Sequence, residues 1–238
     1  VEGKGSRCVR GSGRVTGEKT VSTDEHESTA SRAVVISTGT RSAMPPIDGL
    51  ADSSPWNNRD ATTAKKAPAS MLVLGGGPVG VELAQAWASF GTDVTLIDLD
   101  PRLLAREEPF AAEQVEKSLR ERFGVEVVTG AKTTKVSREE GTVKLNLEDG
   151  REFEAEEILV ATGRKPNSDD IGLDSLGVEA EPFNKNDARL MVGGRDWLYA
   201  IGDVNGRALL THMSKYQAWV ACENILGRAS VAKAEAAG

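Results

Sequence analysis

Cysteine and histidine are scarce, two of each in 238 residues. Cys8 and Cys222 stand near opposite ends of the chain, and neither a Cys-x-x-Cys nor a Cys-x4-Cys occurs. This stretch therefore carries no redox-active dithiol, and two reduced thiols suit a cytoplasmic location. His26 and His212 have no ligand-like spacing, so a metal site is not expected. No apolar run approaches the roughly 20 residues that a membrane span needs. Basic residues are outnumbered, 29 to 36, giving a net charge of −7. That balance argues against nucleic acid or an anionic membrane as the main partner. The start, Val1 to Gly5, has neither an apolar signal core nor an initiator Met. A piece of a longer protein is expected.

What is present is ordinary for a globular protein, 39% hydrophobic and 27% charged, with length for one large domain or two modest ones. Residues 1 to about 30 are polar and rich in Gly, Ser and Thr, with short alternations such as Arg14-Val15-Thr16. Short antiparallel strands are expected there. Ala33 to Ile36 reads as a buried strand that ends in Ser37-Thr38-Gly39. Met44-Pro45-Pro46 forces an extended connection. Residues 51–69 read as a connector with one short helix, N-capped by Asp60.

From residue 70 the pattern changes to strands alternating with helices. Strands are expected at Met71–Leu74, Asp93–Ile97, Val125–Val128 and Glu157–Val160. Helices are expected at Val79–Phe90 and Pro109–Phe123, and a hairpin at Thr142–Leu147 with Glu152–Glu154. A last helix covers Leu209–Leu226. The exits Ser37-Thr38-Gly39 and Ala161-Thr162-Gly163 look equivalent. The expected fold class is α/β: a doubly wound, Rossmann-like domain at 70–164, inserted into a second domain made of 1–50 and 165–228, with a flexible tail at 229–238.

Met71 to Glu82 reads M-L-V-L-G-G-G-P-V-G-V-E. It is an apolar strand feeding a Gly-x-Gly-x-x-Gly turn at the head of a helix. Gly75 permits the tight turn, Gly77 lets the backbone approach a pyrophosphate, and Gly80 lets the helix pack closely on the sheet. Pro78 and Val79 open the helix, whose first N–H groups and positive dipole end face the phosphates. Asp98, about 20 residues on at the end of the next strand, is placed to accept from ribose hydroxyls and to repel a 2′-phosphate, favouring NAD over NADP. A solvated strand-end aspartate is the plainer alternative, and Arg102, within reach of a 2′-phosphate, keeps NADP open. Glu82 needs a partner or ligand if it is buried; otherwise it is a surface acid.

Near the C-terminus, Ala200-Ile201-Gly202-Asp203 brings an acid to a strand end, where Asp203 either holds a polyol hydroxyl or caps a turn. Thr211 and His212 open the last helix, where free N–H groups suit an electron-rich ring oxygen. His212 is either a base or a structural residue.

Together Gly75–Glu82, Ala161-Thr162-Gly163-Arg164-Lys165-Pro166-Asn167 and Ile201-Gly202-Asp203 resemble the pyridine nucleotide–disulfide oxidoreductase family of dihydrolipoamide dehydrogenase and mercuric reductase-like flavoproteins. The resemblance implies a FAD- and NAD(P)-dependent oxidoreductase. It assigns Gly75, Gly77, Gly80 and Asp98 to NAD(H), and places Glu82 and Gly163 beside the nicotinamide. It assigns Asp203 to the ribityl chain, the Thr211-His212 helix start to the flavin ring, and Thr38 and Gly39 to the diphosphate end of FAD. It also implies an N-terminal flavin-binding glycine turn, often with a redox Cys-x4-Cys, and a C-terminal dimerisation domain. This sequence matches neither, so a central fragment with weak or no flavin binding of its own is expected, from a homodimeric parent. NADH would be the donor, and a disulfide or another small molecule the acceptor. An NADH oxidase or ferredoxin-reductase-like flavoprotein without a dithiol, or a non-catalytic nucleotide-binding module, would share these motifs.

Overall fold

In the computed structural model, residues 5–178 and 185–232 are described. The chain divides into two compact units, one inserted in the sequence of the other: Ser42–Arg164, and Val1–Arg41 with Lys165–Gly238.

The inserted unit is built on a four-stranded parallel sheet. Its order is Glu157–Val160, Ser70–Leu74, Asp93–Ile97, Glu126–Val128. Ser70–Leu74 pairs on both edges, with Leu74 opposite Val160 and Ile97, which is why it reads as an unbroken apolar run. Its side chains alternate between two cores. Met71 and Val73 face Val81, Ala84, Trp87 and Leu119, which come from the helices Pro78–Ser89 and Pro109–Phe123. Leu72 and Leu74 face Val136, Val143, Leu145 and Ala155. These belong to a three-stranded antiparallel sheet of Thr133–Glu139, Thr142–Leu147 and Glu152–Ala155. The parallel sheet thus carries helices on one face and a second sheet on the other. The Thr133–Glu139 strand extends the expected hairpin; its sequence, TTKVSRE, buries only Val136, so it carries little apolar signal.

Residues 42–69 belong to this unit, although limits at 50 and 70 were expected. Leu50 is fully buried. The Trp56 N–H donates to the Ile158 carbonyl (2.8 Å) and its carbonyl accepts from the Val160 N–H (2.8 Å). Trp56 therefore sits on the edge of the parallel sheet, with its ring 5.7 Å from that of Trp87. The short helix is Asn58–Thr63, and its N-cap is Asn57 where Asp60 was expected. Asp60 closes a capping box instead, accepting from the Asn57 N–H at 2.9 Å.

The other unit pairs Val34–Ile36 with Leu198–Ala200 in parallel. It adds an antiparallel meander of Arg14–Gly17, Thr20–Ser22 and Glu27–Thr29. Val15, Ile36, Leu173, Leu198 and Ala200 form one core. Tyr199 packs the other way, against Val220 and Ala221 of the helix Thr211–Ile225. The strand at Val34–Ile36 is less buried than its sequence implies: Val35 is 41% exposed. Among the described residues the strand is paired on one edge only. The expected tail is tied down over 229–232, where Ser230 exchanges hydrogen bonds with Asn224 (2.9 and 3.1 Å) and the Ala232 N–H donates to the Ala188 carbonyl. Residues 233–238 of that tail, and residues 1–4 of the expected N-terminal segment, lie outside the described residues. Among the described residues no helix is long and apolar enough to cross a membrane.

Arg138 ties the layers of the inserted unit together. Its guanidinium donates to the Ser53 carbonyl (2.8 Å) and the Glu156 carbonyl (3.1 Å), and pairs with the Glu157 carboxylate. Arg138→Ala leaves a largely buried carboxylate without its cation, and is expected to cost about 3 kcal/mol in urea unfolding. A loss below about 0.5 kcal/mol, the range of an exposed pair, would contradict this role.

Candidate functional site

The glycine turn leaves the central strand under tight steric control. Gly75 has φ +114°, and a Cβ there would lie 2.6 Å from the Ala161 carbonyl oxygen, on the neighbouring strand exit. Only glycine fits both demands. At Gly80 a Cβ would run into the Gly75 carbonyl oxygen, so the absent side chain lets the helix start lie against the turn. Gly77 differs: a Cβ there meets nothing within 4 Å. It is the N-cap of Pro78–Ser89 and offers no side-chain cap. The first-turn N–H groups thus have no side-chain cap, and the space over Gly77 is open. Pro78 at the first position has no N–H, so the open donors of the helix start are those of Val79 and Gly80.

Pro78, Val79 and Glu82 are all exposed on this side of the helix. Glu82 is therefore not the buried acid that would demand a partner. Gly163 is also exposed, two residues beyond the Ala161 that abuts Gly75; its carbonyl accepts from the Ala43 N–H at 2.9 Å.

Asp98 ends the Asp93–Ile97 strand. Its N–H donates to the Val128 carbonyl (2.9 Å), and its own carbonyl accepts from the Ala131 N–H (2.9 Å). The carboxylate rests on Gly76, where any Cβ would collide with it and lie 2.6 Å from Leu103 Cδ2. Burial pushes the Asp98 carboxyl above its ordinary value, against the opposing pull of the Asp100 and Gly76 N–H groups. Sequence reasoning passed over Gly76; the signal was the middle glycine of the run, which the Gly-x-Gly-x-x-Gly pattern leaves free.

In the other unit the Thr38 Oγ1 donates to the Asn167 carbonyl (2.7 Å), and the Asn167 side-chain amide donates to the Thr38 carbonyl (2.9 Å). The Asn167 N–H bonds the Gly39 carbonyl at 2.9 Å. Asp203 accepts from the Thr40 Oγ1 at 3.0 Å. Gly202 has φ +73°, and its N–H donates to Gln217 Oε1 (2.7 Å), which also accepts from the Asn205 side chain (2.8 Å). Gln217 is buried and fixes the Gly202-Asp203 turn to the helix Thr211–Ile225. Neither Thr40 nor Gln217 was singled out by the sequence, because an isolated Thr or Gln has no spacing signature. Thr211 and His212 are exposed on the first turn of that helix, which has no side-chain cap.

The model of the pyridine nucleotide-disulphide oxidoreductases matches residues 2–236. The chain belongs to that family. Among similar members of the family, a mercuric reductase of Bacillus cereus is 31% identical over 233 residues, 95% of this chain and 36% of that protein. A dihydrolipoyl dehydrogenase of Chlorobaculum parvum is 34% identical over 229 residues, 92% of this chain and 48% of that protein. Among solved structures, the HOCl-induced flavoprotein disulfide reductase RclA from Escherichia coli is similar, with a TM-score of 0.85 at 25% identity. It covers 93% of this chain and 51% of that one. The chain thus spans half or less of the length of these two curated family members.

The geometry makes two expectations. Gly80→Ala drives a methyl group into a backbone carbonyl and is expected to cost at least about 2 kcal/mol by chemical denaturation; an unchanged midpoint would refute the close approach. For Asp98 the folded-state pKa is raised, so between the unfolded and folded values the native state holds more protons. Stability then falls as pH rises through that window, and the deficit persists at neutral pH. Asp98→Asn should therefore melt at or above the wild type at pH 7, with the difference closing below about pH 3. A variant that is less stable at pH 7 and equal at low pH would reverse the sign.

Proposed function

We propose that the 42–164 unit binds NADH, and that the protein to which this chain belongs is a flavin-dependent NAD(P)H oxidoreductase. The observation that carries the reading is the pairing of an open, uncapped helix start at Gly77 with the Asp98 carboxylate lodged against Gly76. Gly75, Gly77, Pro78, Val79 and Gly80 form the diphosphate cradle, where oriented N–H groups and the helix dipole favour an anion. Asp98 accepts from the adenosine ribose hydroxyls and opposes a 2′-phosphate, so NADH is preferred to NADPH. Glu82 and Gly163, both exposed on this unit, take the nicotinamide end. The other unit supplies part of a FAD site. Thr38 and Gly39 serve the diphosphate end, Gly202 and Asp203 the ribityl chain, and the Thr211-His212 helix start the flavin ring.

When bound, the nicotinamide and the flavin supply the hydride chemistry. This chain's residues supply position and charge: Asp203, steadied by Thr40, offers a carboxylate to hydroxyls, and the uncapped helix start offers N–H groups to an electron-rich ring oxygen. No residue of this chain is assigned a proton-transfer role. The terminal acceptor is a disulfide or another small molecule, and the whole protein is a homodimer.

Titration of the chain with NADH and with NADPH, followed by nicotinamide fluorescence, tests the reading. NADH should bind at least about tenfold more tightly, as a repelled 2′-phosphate requires. Comparable affinities would remove Asp98 from its role. Gly77→Ala meets open space, so it should lose only about 1 kcal/mol, the scale of alanine at an N-cap, while losing NADH affinity. Retained affinity would move the diphosphate off this turn.

A further inference from the structure

Arg102 is the cation nearest in sequence to Asp98, and as a free side chain it would suit a 2′-phosphate. The geometry points instead to Arg102 as a positioning residue: it is spent on the loop that holds Asp98 and the glycine turn in register, and takes no part in phosphate recognition. The inference rests on the NADH reading and deepens it, because it says why a nearby arginine does not relax selectivity towards NADPH.

The guanidinium faces into its own loop. It donates to three backbone carbonyls: Leu104 at 3.1 Å, Ala105 at 2.7 Å and Glu107 at 2.9 Å. A planar fork can meet several fixed acceptors at once. Turning out towards a ligand would break all three bonds and leave the loop with the Glu107 N–H bond to the Leu104 carbonyl (2.8 Å). The loop is in turn fastened to the cradle. The Leu104 N–H donates to the Gly76 carbonyl at 2.9 Å, with Leu104 held at φ +49°, a conformation that a leucine keeps only when its surroundings impose it. Leu103 is fully buried and packs where a Gly76 side chain would have to go. One chain of contacts thus runs from the Arg102 guanidinium through the loop to Gly76, and from Gly76 to the Asp98 carboxylate. Arg106 lies in the same loop, is exposed, and provides the control: it carries the same charge without that set of loop bonds.

The test titrates NADH and NADPH into the 238-residue chain and its Arg102→Ala, Arg102→Lys and Arg106→Ala variants. Hydrogen exchange at the Leu104 amide is read in parallel. Arg102→Ala should weaken both dinucleotides by a common factor of about tenfold, the scale of losing a pre-ordered loop, with their ratio unchanged. It should also accelerate exchange at Leu104. Arg102→Lys keeps the charge but lacks the fork, so it should behave like Arg102→Ala; it carries the test if Arg102→Ala does not fold. Arg106→Ala should stay within about twofold of the wild type, as expected for an exposed charge. Selective loss of NADPH binding in Arg102→Ala overturns the inference, as does full retention by Arg102→Lys or unchanged binding in both variants. A wild-type chain that binds neither dinucleotide overturns the NADH reading itself, and this inference with it.

Discussion

The arrangement of the inserted unit depends on one close backbone approach, the start of the Pro78–Ser89 helix lying against the Gly75 carbonyl. A methyl group at residue 80 would occupy the space of that oxygen, so the distance between helix and sheet is set by the absence of a side chain. Val81, Ala84 and Trp87 then reach Met71 and Val73 in one packed layer. The same approach leaves the helix start facing outward at Gly77 with no side-chain acceptor. Packing and binding thus share a cause: close contact below residue 80 requires a sharp turn, and the sharp turn leaves the N–H groups open.

Asp98 is the counterpart on the neighbouring strand. Its position is fixed by ladder bonds to Val128 and Ala131, and its carboxylate is pressed on Gly76 at some desolvation cost. A partly buried acid raised above its ordinary pKa does not serve stability, and such groups concentrate where a ligand is to be met. The other unit solves a similar problem by different means. There the turn at Gly202-Asp203 is held by a buried glutamine on the helix Thr211–Ile225, and the acid is steadied by the Thr40 hydroxyl. One turn is positioned by removing atoms and the other by adding a hydrogen-bonding side chain.

Much of this was legible in the sequence because the elements involved are periodic or sterically unusual. Met71–Leu74 is apolar on both faces, and Gly75 and Gly80 mark positions where a Cβ cannot fit; both are local signals that survive without tertiary context. The Thr133–Glu139 strand was not legible, since a strand that buries one residue in seven shows no alternation. Nor was the attachment of residues 42–69, which rests on backbone bonds of Trp56 and on burial of Leu50 against distant strands. The cap at Asn57 was missed by three positions because both Asn57 and Asp60 are cap formers, and only geometry separates the cap from its box partner. For Glu82 both a buried and a surface position were open; helical phase places it outward while Val81 and Ala84 turn in. Val35 shows the converse, an apolar residue left 41% exposed in a strand that reads as buried.

The central claim is that Gly75–Gly80 and Asp98 form a single dinucleotide site on the 42–164 unit. Residue-resolved hydrogen exchange of the chain, with and without saturating NADH, tests it most directly. The account predicts new protection at the amides of residues 76, 77 and 79–82 and of 98–100 and 102–104, with the antiparallel sheet at 133–155 unchanged. Protection confined to residues outside these two segments, or spread evenly over the unit, would contradict it.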